Sequence, residues 1–273
     1  MNGSAVTPVV AGVSGSAAGS RAVEMAAREA AVRGLPLRLV HALQYRHGVI
    51  DQARQAGDLL RQARETALAT APGLWTTVEL VEGDPVTGLL RLSRQAALTV
   101  LGDGSLGEQV CLPREATTVQ VAARAFSTVL VVRAPAAPQG PVLVGVSGST
   151  MSGAVLARAC EAAAGRAVGL DVVHVGEVSQ RVRVLEDVIT SRALAYGVGV
   201  RFDVVAGDPA AVLRQRSREA SLVVVGARGE LPYHGLLGSV SQALLHHARG
   251  PVLVVRASRS APIRRAAALV GLF

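Results

Sequence analysis

An internal repeat constrains this chain more than any other feature. Val142-Leu143-Val144-Gly145-Val146-Ser147-Gly148-Ser149 restates Val9-Val10-Ala11-Gly12-Val13-Ser14-Gly15-Ser16 at an offset of 133 residues, and His174 restates His41 at the same offset. Gly207-Asp208-Pro209 follows Gly83-Asp84-Pro85 by 124 residues. Val252-Leu253-Val254-Val255-Arg256 follows Val129-Leu130-Val131-Val132-Arg133 by 123. The halves therefore run in register, apart from nine residues fewer before the second Gly-Asp-Pro and one fewer in a late loop. A period this long predicts two similar domains, not a solenoid. The expected division is residues 1–133, a short Pro/Ala linker at 134–140, residues 141–256, and a tail at 257–273.

Each half alternates short β-branched runs with longer Ala/Arg/Glu-rich stretches. The pattern predicts strands near 7–13, 36–43, 75–81, 97–101 and 128–133, with helices near 18–34, 50–70, 85–95 and 115–126. In the second half it predicts strands near 141–146, 170–175, 200–205, 221–226 and 251–256, and helices near 151–168, 179–196, 208–219 and 239–249. Strands such as Leu222-Val223-Val224-Val225 are apolar throughout, as expected when helices cover both sheet faces. Alternating β and α elements predict an α/β fold, here two doubly wound parallel five-stranded sheets.

Composition removes several functions. All 28 basic residues are Arg, which excludes a Walker-type phosphate lysine and a Schiff-base lysine. The net charge is +8, of which +6 falls after residue 138. Aromatic residues are only 3% and do not interleave with the arginines, so no base-stacking surface for nucleic acid is expected. Cys111 and Cys160 form neither a disulfide framework nor a zinc motif. No signal peptide is evident and no apolar run reaches 18 residues, so a cytoplasmic protein that does not enter a membrane is expected. The tail is Arg-rich and then apolar, which fits a frayed terminus or a short amphipathic helix.

In an open α/β sheet, ligands bind beyond the carboxyl ends of the strands, where strand order reverses. Three segments of the second half end there: Val146-Ser147-Gly148-Ser149, His174-Val175-Gly176, and Val225-Gly226-Ala227-Arg228-Gly229. The last runs on to Leu237-Gly238-Ser239-Val240, which opens a helix. Glycines let backbone amides approach phosphate oxygens, and a helix N-terminus adds unpaired N–H groups and partial positive charge. Arg228 offers a charged fork, and Ser239 offers either a helix cap or a hydroxyl donor. The competing reading is that the glycines only make turns.

On these residues the chain resembles the universal stress protein family, as a tandem member, over roughly residues 5–256. ATP-binding members carry Gly-x2-Gly-x9-Gly-Ser/Thr between the fourth strand and the last helix. Here Gly226-x2-Gly229-x8-Gly238-Ser239 follows that pattern with one residue fewer. The resemblance implies backbone contacts to ribose and phosphates from Gly226, Gly229, Gly238, Ser239 and Val240, and places Val146, Ser147 and Val175 near the base. It implies ATP, or a related nucleotide such as ADP or AMP, with Mg2+ carried on the phosphates, and a homo-oligomer with a protein partner. It also implies edge-to-edge pairing of the two last strands. The family usually has Asp where this chain has Ser14 and Ser147.

The first half keeps Gly102, but Ser105 stands where the second glycine belongs and Glu115-Ala116 replaces Gly-Ser. A carboxylate at a helix N-terminus satisfies the dipole and repels phosphate, so this site reads as degenerate. Gly104 and Gly107 leave open a loop rebuilt for another ligand.

No catalytic set is evident, and the expectation is a binding protein, with weak ATP hydrolysis left open. His41 and His174 read as structural hydrogen-bonding residues at strand ends, and Asp84 and Asp208 as helix caps before Pro. A nucleotide-independent interaction protein of the same fold is the alternative. Ser147-Gly148-Ser149-Thr150-Met151-Ser152 also faintly resembles the pyrophosphate loop of ATP-dependent adenylating enzymes, without its second glycine or its Asp.

Overall fold

The computed structural model describes residues 7–43, 49–103, 112, 116–133, 135, 137–147, 152–227 and 236–256. The first half runs β1 (Val9–Gly12), α1 (Ala17–Arg33), β2 (Leu37–Leu43), α2 (Val49–Thr70), β3 (Thr76–Glu82), α3 (Pro85–Ser93), β4 (Leu98–Gly102), α4 (Thr117–Arg124) and β5 (Thr128–Val132). The second repeats it as β6 (Val142–Val146), α5 (Ser152–Arg166), β7 (Leu170–Val175), α6 (Gln180–Ala195), β8 (Val200–Val205), α7 (Pro209–Arg216), β9 (Leu222–Gly226), α8 (Ser239–His247) and β10 (Val252–Val255).

Every element expected from the sequence is present, and most bounds agree within two residues. Helix α7 stops at Arg216, earlier than expected, because Ser217 ends it. Its hydroxyl donates to Arg214 O at 2.7 Å and accepts from the Arg249 N–H at 3.0 Å, tying the end of the helix to the start of the last strand.

The strands form one ten-stranded sheet in the order β3-β2-β1-β4-β5-β10-β9-β6-β7-β8. Read outward from the middle, the two halves have the same order. Pairing within each half is parallel, and the halves meet by antiparallel pairing of β5 with β10. Val252 pairs with Val131, Leu253 with Leu130 and Val254 with Val129. Leu130 and Leu253 are equivalent in the repeat and face each other, so a pseudo-twofold axis passes between them. Both are essentially buried, which contributes about 1.5–3 kcal/mol per leucine. The two five-stranded sheets expected from the repeat are thus joined edge to edge, which removes two exposed edges.

Helices cover both faces. One apolar cluster crosses the seam, joining Ala22 and Ala26 of α1 to Val155 and Ala159 of α5 through Leu130 and Leu253. The helical faces are built from alanine, which lets α1 and α5 lie close to strands of Val and Leu. Between them, Glu29 of α1 takes two arginines at once. It accepts from Arg33 Nε and Nη2 at 3.1 and 2.8 Å, and from Arg166 Nη2 of α5. In the linker, Gly140 lies so close to Glu219 that a Cβ would sit 2.0 Å from the Glu219 carbonyl oxygen. The linker is therefore packed against the second half there.

Each Gly-Asp-Pro behaves as the sequence predicts. Gly83 and Gly207 take φ of +99° and +130°, values that side chains rarely adopt. Asp84 accepts from the Thr87 N–H and Asp208 from the Ala211 N–H, both at 2.8 Å, and Pro85 and Pro209 open the helices.

Candidate functional site

In the second half, β6 lies between β9 and β7, so strand order reverses there and leaves a crevice beyond the strand ends. Val146, Val175 and Gly226 end the three strands. The His174 Nδ1–H donates to Val146 O at 3.0 Å and locks the ends of β6 and β7 together. His41 does the same for β1 and β2 with Val13 O at 2.9 Å. Both histidines are therefore structural, as expected, and because a carbonyl only accepts, Nδ1 carries the proton.

Helix α8 is anchored at the same place. The Gly238 N–H donates to Ala227 O at 2.9 Å, which closes the loop after β9. The Ser241 hydroxyl donates to Gly226 O, and the Gln242 N–H to Gly238 O at 2.8 Å. Gly238 is the N-cap and no side chain caps the helix. Ser239 is thus the first helical residue, and the reading of it as the cap is corrected. Its hydroxyl is exposed beside Val240. The first N–H groups of a helix have no partner within it, so α8 opens with a donor cluster and partial positive charge. Val146 and Ser147 end their strand as the same crevice opens, with Ser147 exposed and Val175 half-buried. Arg228 and Gly229 lie outside the described residues, so the charged fork and second glycine expected there are not placed. Seven of the nine residues singled out from the sequence are described, at the ends of β6, β7 and β9 and the start of α8.

The first half repeats this framework with different chemistry. The Thr118 hydroxyl donates to Gly102 O at 2.5 Å, the counterpart of Ser241 and Gly226. Ala116 is the N-cap of α4, again without a side-chain cap. Gly104, Ser105, Gly107 and Glu115 lie outside the described residues. A cleft of about 220 Å³ remains, lined by strand-end residues including Val13, Ser14, His41 and Ala42 together with Thr117 and Thr118. Sequence reasoning read this site as degenerate, with a loop rebuilt for another ligand left open, and did not foresee the cleft. The strict offset of Thr118 and Ser241 was the available signal.

Sequence reasoning also missed how the last helices are joined across the seam. Arg133 follows β5 and its guanidinium donates to His246 O at the end of α8. Arg256 follows β10 and donates to Ala122 O of α4 at 2.8 Å. A cation at a helix C-terminus is favourable, so each half steadies the other's last helix. The arrangement is unequal, because Asp103, 3% exposed, lies 3.7 Å from Arg133 where the second half has Ala227. His246 Nδ1 accepts from the Leu112 N–H of the first half at 3.1 Å. Burial, helped by the nearby charges of His247 and Arg133, pushes the His246 pKa below its ordinary value and favours this accepting form.

Among the described residues, no group of three His, Cys, Asp or Glu side chains is arranged to hold a metal ion. Cys160 is a buried free thiol, and burial pushes its pKa up. Cys111 lies outside the described residues. No described helix is long and apolar enough to cross a membrane.

Comparison with known proteins agrees with this geometry. The model of the universal stress protein family matches residues 6–133 and 177–256. Universal stress protein Rv2623 of Mycobacterium tuberculosis is 31% identical over 94% of this chain and 99% of its own length. Universal stress protein Rv2005c of the same species is 32% identical over 92% of this chain and 97% of its own. Among solved structures, a universal stress protein from Archaeoglobus fulgidus superposes with a TM-score of 0.75 at 18% identity, covering 92% of this chain and 97% of that one. A repeated α/β half, two halves joined through their last strands, and family matches in both halves lead to one conclusion: the chain belongs to the universal stress protein family.

Proposed function

We propose that the second domain, residues 141–256, binds ATP or a related adenine nucleotide such as ADP or AMP, with Mg2+ arriving on the phosphates. Val146, Ser147 and Val175 take the base. Gly226, Arg228, Gly229, Gly238, Ser239 and Val240 take the ribose and phosphates. The first domain, residues 1–133, supplies the seam and does not grip phosphate. Occupancy shifts a conformation or a contact with a protein partner in a cytoplasmic stress response, within a homo-oligomer. The observation that carries this reading is the start of α8. Its cap has no side chain, its donors are uncapped, and two hydrogen bonds, from the Gly238 N–H to Ala227 O and from the Ser241 hydroxyl to Gly226 O, hold it beside the end of β9. Glycine at that cap lets an oxygen-rich ligand take the place a side chain would fill.

The test is Gly238→Asp. Gly238 has φ −64° and ψ 157°, an extended conformation that Asp adopts readily. The new carboxylate would cap α8 itself, so the variant folds while its charge repels phosphate. With wild type at 100 times Kd of ATP–magnesium, one-site binding raises stability by about 2.7 kcal/mol. For a chain this size that is about 5–10 °C in melting temperature. Titration should give one nucleotide per chain, and Gly238→Asp should lose both the binding and the shift. Ser147 in place of the family's Asp, and the shorter loop, favour a nucleotide-independent interaction protein instead. That reading requires wild type and variant to melt alike with and without ATP.

A further inference from the structure

We propose that the outer face of α6 is a docking surface for this chain's own tail. The apolar segment 266–273 lies along Val184 and Val188, with Arg264 and Arg265 meeting Glu186 and Asp187.

Helix α6 carries two apolar stripes where packing on a sheet needs one. Leu185, Ile189 and Ala193, each four residues after the last, join the apolar cluster of the sheet and α5. Val184 and Val188 form a second stripe on the outer side and are 52% and 43% exposed. Ser191 and Ala195 continue that face and are also exposed, and Leu194 borders its far end at 71%. The helix in the same place in the first half, α2, exposes Arg54, Arg61, Gln62 and Glu65 instead. Its position in the fold therefore does not require α6 to be apolar outside. Single exposed valines are ordinary, but a continuous apolar stripe marks a contact surface.

Charge indicates what fits. Glu186 and Asp187 flank the stripe and Glu177 stands just ahead of the helix. All three are exposed, and none has an ion pair among the described residues. The tail is the complement. It carries Arg259, Arg264 and Arg265, and then eight residues, 266–273, without a charge.

Reach agrees. Residues 257–273 lie outside the described residues, but their starting point is fixed. β10, β9, β6 and β7 are parallel neighbours, so the chain leaves β10 at the sheet edge where α6 begins. Three strand spacings separate β10 from β7, roughly 14 Å, and one layer of packing adds about 10 Å. Nine residues, 257–265, extend to about 30 Å, which covers that path and brings 266–273 to the first turns of α6.

A second copy of the chain fits this face less well. Isologous pairing sets residues near the twofold axis against their own copies. Asp187, next to both valines, would then face Asp187 of the second copy.

The experiment is hydrogen exchange read by mass spectrometry on the full chain and on its Leu269→Glu/Leu272→Glu variant. Amides of residues 184–195 should exchange severalfold faster in the variant, while those of β6 and β7 stay unchanged. The reciprocal variant is Val188→Glu, at a position exposed enough to accept it. It should speed trypsin cleavage after Arg264 and Arg265 severalfold. Asp187→Arg should do the same by removing the acidic match, and melting curves identify folded protein. Equal exchange in wild type and the tail variant, or cleavage indifferent to both α6 variants, would overturn the proposal. So would protection of 184–195 that rises with protein concentration, is lost in Val188→Glu and survives in the tail variant, since that assigns the face to a second copy.

Discussion

Glu29 is the most informative residue to neutralise, because one carboxylate serves both halves. Its side chain is 10% exposed, and those of Arg33 and Arg166 are 22% and 19%. Glu29→Gln keeps the shape and removes the charge, leaving two arginines facing an amide that can accept at only one oxygen. Removing one partner of a fully buried pair costs about 3–5 kcal/mol. Water reaches roughly a fifth of each guanidinium and relieves part of that, so about 2–3 kcal/mol is expected. At roughly 2–4 °C per kcal/mol for a chain of this size, the melting temperature should fall by about 5–10 °C at pH 7. Burial alone would raise the Glu29 pKa, but the charges of Arg166 and Arg33 and their hydrogen bonds more than reverse it. The folded-state pKa is therefore below the ordinary carboxylate value. The stabilisation is complete above the unfolded-state pKa and is lost as pH falls through the folded one. Melting by circular dichroism should show the gap between wild type and Glu29→Gln at pH 7, closing in acid below the ordinary carboxylate range. Pairing the variant with Arg166→Met should be non-additive by about 0.5–3 kcal/mol, since the two residues touch. Equal melting at pH 7, or a gap unchanged in acid, would refute the reasoning.

Two more perturbations test the seam and the repeat. Leu253→Ala should cost about 2–5 kcal/mol in urea unfolding, and Leu130→Ala a similar amount, because the residues are equivalent and opposed. Strict additivity in the double variant would mean that they do not share a packed interface. Asp208→Ala and Asp84→Ala should each cost about 1 kcal/mol through loss of a helix cap. Hydrogen bonds from the Thr87 hydroxyl and then the Thr87 N–H hold the Asp84 carboxyl below its usual value, so its share is present at pH 7 and fades in acid. A loss of stability that grows in acid would contradict the cap.

Most of the fold was legible because it is local. Apolar runs, Ala-rich stretches and the Gly-Asp-Pro turns set the elements, and the offsets between them set the halves. The identity of Leu130 and Leu253 in the repeat even allowed for the seam. What the sequence did not show depends on tertiary distance. That Gly238 rather than Ser239 caps α8 turns on backbone conformation, since Gly238 is extended and its carbonyl accepts from the Gln242 N–H. The convergence of Arg33 and Arg166 on Glu29 needed the crossing of α1 and α5. The first-half cleft was hidden for a different reason. Changes between β4 and α4 dominate the sequence, while the volume of the cleft depends on walls from six different elements.

Joining the halves through β5 and β10 inside one chain has a consequence for what substitution can achieve. Two separate chains meeting through the same strands would separate on dilution, and every change would appear on both sides of the axis. Tethered by residues 134–140, the halves meet at an effective concentration set by the linker and not by the cell. Each side can then change alone. Arg33 and Arg166 are mates in the repeat, yet one Glu29 serves them both, because its own mate is Ala162. Arg133 has Asp103 beside it, while for its mate Arg256 the position equivalent to Asp103 is Ala227. Fusion lets the two halves of a nearly symmetric frame diverge while staying at a fixed ratio, one of each per molecule.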